Sequence, residues 1–268
     1  MISFVITFRE TLEAALIVGI IFAYLIRTNN EDYKRYVNFG IVAGVVASLV
    51  GAFIFNVIAG GFEGKAEEIF EGVTMVVGSL LIITVVAWMA NKKNIADEIR
   101  EKVDVALSSG SALSLLLLVT FSILREGIET VIFLNASMKD AGLIQAFFAL
   151  AGILVGVITG YVVYKGLSKV NLKTLFNASS VLLILFSAGL FAHGIHELQE
   201  AGVIPVIIEH VWDINPASET HLLHEKGLIG SFLKSLFGYN GNPSLIEVLS
   251  YVLTLITGVF IWRRKSFS

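Results

Sequence analysis

Apolar residues run along this chain in blocks, and the polar residues gather between them. Crossing a bilayer takes roughly 20 predominantly apolar residues as a helix. Seven blocks meet that length, at about 2 to 26, 38 to 59, 69 to 90, 112 to 134, 143 to 165, 177 to 198 and 245 to 262. The pattern predicts an all-α polytopic membrane protein of about seven transmembrane helices, a single transporter-like domain over 1–268. In the outer loop at about 199–244, Pro205, Pro216 and Pro243 interrupt any continuous helix. Within it, Gly227 to Gly238 reads as a short amphipathic helix on the membrane surface.

The first and fourth blocks share a motif. Phe8-Arg9-Glu10-Thr11-Leu12-Glu13 returns as Leu124-Arg125-Glu126-Gly127-Ile128-Glu129, and weaker echoes follow at 42–44 against 150–152 and 69–72 against 175–178. Repeat one covers about 1–92, repeat two about 110–200, and the seventh helix at about 245–262 stands alone. An odd number of helices per repeat gives the halves opposite orientation, the inverted-repeat plan of many transporters.

Composition narrows the class further. The chain is 56% hydrophobic and 15% charged, with a mean hydropathy of +0.81, too apolar for a soluble fold. A net charge of −3 offers nothing to nucleic acid. The absence of cysteine leaves oxygen and imidazole as the available metal donors. The first block has no basic leader and carries Arg9, Glu10 and Glu13, so it reads as a mature transmembrane helix rather than a removed signal peptide. Basic residues follow blocks one, three and five and close the chain, from Arg27, Lys34 and Arg35 through Lys92, Lys93, Arg100, Lys102, Lys165, Lys169 and Lys173 to Arg263, Arg264 and Lys265; the other side has Lys65, Lys139, Lys226 and Lys234. The positive-inside rule then places the N-terminus outside and the C-terminus in the cytoplasm of a cell membrane. The outer side carries Glu63, Glu67, Glu68, Glu71, Asp140, Glu197, Glu200, Glu209, Asp213, Glu219, Glu225 and Glu247 together with all five histidines, an electronegative vestibule that would concentrate cations.

Arg9, Glu10, Glu13, Arg125, Glu126 and Glu129 sit inside apolar helices, where each ionisable residue costs about 2.5–3.5 kcal/mol. They are expected to face one another or water. Glu10 and Glu13 share a helical face, Arg9 and Glu13 pair at i, i+4, and the second motif repeats the geometry. Two arginines against four glutamates leave −2, which points to carboxylates holding a cation, with Arg9 and Arg125 as supports. Buried salt bridges that merely lock the repeats together are the structural alternative.

Two RExxE motifs on the first and fourth of seven helices, with the N-terminus outside, resemble the iron permease family of oxidase-dependent, high-affinity iron transporters. The resemblance covers essentially the whole chain, with Thr11 standing where that family usually has glycine. It implies iron as the transported substrate, as Fe(III) supplied by an extracytoplasmic iron oxidase, peroxidase or delivery protein. It implies no enzyme activity and no organic cofactor. A homo-oligomer is compatible with the sequence.

Two outer groups are further candidate ligands. Glu63, Glu67 and Glu71 recur at i, i+4, i+8 at the start of the third block, and His193, His196, Glu197 and Glu200 share a face at the end of the sixth. Carboxylates alone do not choose among cations, so import of Mn, Ca or Pb stays open. A carboxylate-based membrane hydrolase is a more distant alternative, since the buried set lacks histidine.

Overall fold

A computed structural model describes residues 2–90, 95–108, 111–137, 143–166, 172–216, 218, 221–224 and 227–266. Of the basic residues that set the expected orientation, Lys92, Lys93, Lys139, Lys169 and Lys226 lie outside the described residues, as do Asp140, Glu219 and Glu225 of the expected acidic vestibule. The described chain is all-helical, without a strand: α1 (Ile2–Arg27), a 3-10 turn (Glu31–Tyr33), α2 (Lys34–Ala59), α3 (Lys65–Ala90), α4 (Ile95–Ser108), α5 (Ala112–Ser137), α6 (Leu143–Tyr164), α7 (Leu172–Glu200), α8 (Leu228–Phe237) and α9 (Leu245–Ser266).

Each apolar block falls within one long helix. Five of these, α2, α3, α6, α7 and α9, are long and apolar enough to cross a membrane. Helices α1 and α5 are 26 residues each, about 39 Å at 1.5 Å per residue, but each carries three ionisable residues in its apolar run. Helix α4 was not anticipated: its segment reads as a charged connection, yet Val103 and Ala106 are buried on one face against Ile21 and Leu25 of α1 and Leu115 and Val119 of α5.

Small residues set the packing. Helices α1 and α6 run in the same direction, with Ser3 Oγ donating to Gln145 (2.8 Å) and Thr7 Oγ1 to the Ala149 carbonyl (2.8 Å). A Cβ added at Gly160 of α6 would fall 2.4 Å from the Ala15 Cβ, so the backbones approach as closely as glycine permits. Helices α2 and α5 form a second pair, also running the same way, with Gly40 against Val119 and Gly44 against Ile123. Helices α3 and α7 cross antiparallel, with Gly72 against Gly194 and Ser79 bonded to Ser187 at 2.9 Å.

Thr11 also finds its explanation here. A Cβ on Gly156 of α6 would lie 2.9 Å from the Thr11 Cβ, while one on Gly127 of α5 would lie 1.9 Å from the Ser48 Oγ of α2. In one helix pair the glycine faces the motif, and in the other the motif supplies it.

Helix α8 forms where the amphipathic pattern predicts, but it is not confined to the surface. Gly238, at φ 66°, ends it in the left-handed conformation. A Cβ there would be 2.4 Å from Gly189 Cα, and Gly189 lies eleven residues, about 16 Å, back from the end of α7. The C-terminal end of α8 therefore packs against the middle of α7 and is fastened to α9 by Tyr251 OH, which donates to the Phe237 carbonyl at 2.7 Å.

Candidate metal centre

The motif helices α1 and α5 meet at their charged turns. Arg9 is fully buried, and its guanidinium forks between two carboxylates of its own helix, Nη1 donating to Glu10 and Nη2 to Glu13 at 2.9 Å. On α5, Arg125 Nε donates to Glu129 at 3.0 Å and lies 3.4 Å from Glu126. The expected i, i+4 pairing is thus present in both copies.

The copies differ in surroundings. Arg125 was expected to be buried like Arg9, but its side chain is 44% exposed, and its guanidinium stacks on the Trp88 ring, 4.3 Å from the centroid. Trp88 of α3 is thus the aromatic partner of a motif arginine.

Glu10, Glu13 and Glu126 converge. One carboxylate oxygen from each lies within 4.8 Å of the others, and all three residues are buried. Four glutamates were expected to converge, but Glu129 is outside this group. Three carboxylates around one buried guanidinium leave a formal −2, which isolated burial would make prohibitive. Moreover, the Oε2 atoms of Glu10, Glu126 and Glu129 are buried without a hydrogen-bond partner among the described residues. Buried acceptors left unpaired are costly, and an oxygen-loving cation could supply what they lack.

A cavity of about 370 Å³ leads away from the cluster, walled by Leu16, Ile17 and Ile21 of α1 and Leu118, Phe121 and Ser122 of α5, with Glu13, Glu126, Arg125 and Trp88 along it. In the opposite direction along the same helices, Ile2, Ile6, Phe133 and Ala136 are buried in an apolar cluster.

The outer candidates do not close a comparable group among the described residues. Helix α3 begins at Lys65, so Glu63 precedes it and the expected carboxylate stripe shortens to Glu67, which is exposed, and Glu71. His193 and His196 stack at 5.8 Å and approach Glu197 (3.5 Å) and Glu200 (3.4 Å). The contact between Gly72 and Gly194 brings the start of α3 beside the end of α7, so both sets lie at one end of the bundle. Sequence reasoning gave no special place to Glu247 of α9, whose Oε1 lies 3.1 Å from His196 Nδ1. The signal was present as Ser244-x-x-Glu247, a capping box: Glu247 N–H donates to Ser244 Oγ (3.3 Å) and Ser244 N–H to the Glu247 carboxylate (3.2 Å).

Among known proteins, the chain is 33% identical to the ferrous iron permease EfeU of Yersinia pestis over 265 residues, covering 97% of this chain and 92% of the relative. It is 32% identical over 259 residues to the protein of the same name in Escherichia coli O6:H1, and likewise in Shigella sonnei, with 95% and 92% covered. No solved structure matches. Permease relatives and long apolar helices together make this a multi-pass membrane protein of the iron-transport class. The match to the iron permease FTR1 family runs over residues 1–266, through both charged turns and the helices that bury them, and the chain belongs to that family.

Proposed function

We propose that this chain imports iron across the cytoplasmic membrane through the carboxylates of its two RExxE motifs. The observation that carries this reading is the buried −2 cluster of Glu10, Glu13 and Glu126 around Arg9, with acceptor oxygens left unpaired. Glu129, held by Arg125, stands next in line. The outer Glu67, Glu71, His193, His196, Glu197 and Glu200 gather the ion, and the cluster passes it inward.

An architecture of two inverted three-helix repeats plus a seventh helix fits the packing. Exchanging the halves turns the α1·α6 pair into α5·α2 and returns α3·α7 to itself, and all three of those pairs are in contact. With α4 and α8 set apart, seven helices cross the bilayer, the N-terminus outside and the C-terminus in the cytoplasm. Hard oxygen donors without thiolate or imidazole suit Fe(III), produced from Fe(II) by an extracytoplasmic oxidase or peroxidase. The relatives' name, ferrous iron permease, favours Fe(II) as the ion offered to the system.

Proteoliposomes holding the purified chain test this directly. Radiolabelled iron is offered as Fe(III) citrate or as ascorbate-reduced Fe(II), with and without a pH gradient. Uptake of Fe(III) is expected; uptake of Fe(II) alone would overturn the oxidation state. Transport of Mn, Ca or Pb with iron left outside would overturn the substrate.

A further inference from the structure

The cavity beside the carboxylates has a direction. Along α1 it runs from Glu13 to Ile21, eight residues or about 12 Å. Along α5 it runs back from Glu126 to Leu118, so on both helices it opens toward the end that holds Arg27 and the start of α5. The other way is closed by Ile2, Ile6, Phe133 and Ala136. At about 30 Å³ per water, 370 Å³ holds roughly a dozen waters, enough to begin rehydrating an ion.

Helix α4 completes the far wall with Glu98, Ile99 and Lys102. Between the buried cluster and Glu98 the α1 and α5 walls are mainly apolar, so Glu98 is the next carboxylate along the cavity. It is paired with Lys102 at 2.8 Å, and both side chains are half-exposed. A pair of that kind is weak, and a multivalent cation displaces the ammonium readily. Apolar contacts of Val103 and Ala106 pin α4 to α1 and α5 and hold Glu98 in this position.

We propose that α4 is the inner lip of the ion's route, and that Glu98 is the carboxylate that receives the ion as it leaves Glu13 and Glu126. The inference rests on the transport reading above.

In proteoliposomes, Glu98→Gln lowers the maximal rate of iron uptake several-fold while leaving the half-saturating iron concentration unchanged, because Glu98 acts after the ion is bound. Glu101→Gln, an exposed position of the same turn that does not line the cavity, leaves both unchanged. Since the chain has no cysteine, Ser122→Cys reports the cavity independently of transport: an impermeant thiol reagent labels it from the Arg27 side alone. Labelling from the opposite side, or a Glu98→Gln chain as fast as wild type, overturns the inference. If the wild-type chain moves no iron while Ser122→Cys labels as expected, the transport reading has failed, and Glu98's role falls with it.

Discussion

Replacing Gly127 by alanine places a Cβ 1.9 Å from the Ser48 Oγ and 2.4 Å from its Cβ. Unbonded carbons settle at about 3.5–4.0 Å, so helix α5 must shift away from α2 or Ser48 must be distorted. Inserting a methyl into a packed interior costs about 1–3 kcal/mol, and Gly127→Ala is expected in that range. The clash is almost entirely with one side chain, since the next atom is the Ser48 Cα at 3.7 Å, an ordinary contact. Ser48→Gly alone should cost about 0.5 kcal/mol in helix propensity. In the double variant it should recover most of the Gly127→Ala loss, a coupling of about 1–3 kcal/mol. The mirror position behaves differently: a Cβ on Gly156 meets the Phe8 backbone carbonyl at 2.9 Å as well as the Thr11 Cβ, so Thr11→Gly rescues Gly156→Ala only in part. Unfolding in mixed micelles titrated with SDS, followed by far-UV circular dichroism, measures all of these. A Gly127→Ala chain within a few tenths of a kcal/mol of wild type, or one that Ser48→Gly leaves unimproved, would refute the packing argument.

Other perturbations bear on the charged cluster and the orientation. Glu13→Gln and Glu126→Gln should each lower iron uptake at least tenfold with folded, membrane-inserted protein preserved, and Glu129→Gln should cost less because Glu129 stands outside the converging three; uptake normalised to inserted protein decides. Arg9→Gln leaves buried carboxylates uncompensated and should lose about 3–5 kcal/mol of stability, whereas Arg125→Gln, at a half-exposed position, should lose far less, as read by the yield of monodisperse protein. A cysteine at Ser218 should react with an impermeant reagent from outside the cell and one at Thr28 should not; the reverse would invert the proposed orientation.

What the sequence disclosed is what single helices decide by themselves. Long apolar runs announced the helices, and i, i+4 spacing announced the Arg9–Glu13 and Arg125–Glu129 pairs, because both depend on local geometry. Helix α4 was hidden because its residues are polar on average and only its contact with α1 and α5 reveals an apolar face. Which three of the four motif glutamates converge, and that Arg125 leans out to Trp88, depend on how two helices are rotated against each other, and duplicated motifs carry no information about that. The depth of α8 was hidden for the same reason, since it is set by the meeting of Gly238 with Gly189, 49 positions apart in the chain.

The capping box of α9 has a consequence for the outer end of the bundle. The same Glu247 oxygen that accepts from the Ser244 amide also lies against His196, and its second oxygen accepts from Asn240 at 2.7 Å. A cation drawn to His196 and Glu247 must therefore compete with the first turn of a helix for its ligand. Capture there would give up the bond from the Ser244 amide, a loss of about 0.5–2 kcal/mol that weakens the hold on the ion. If the outer residues gather the ion as proposed, this shared ligand would favour brief residence over storage.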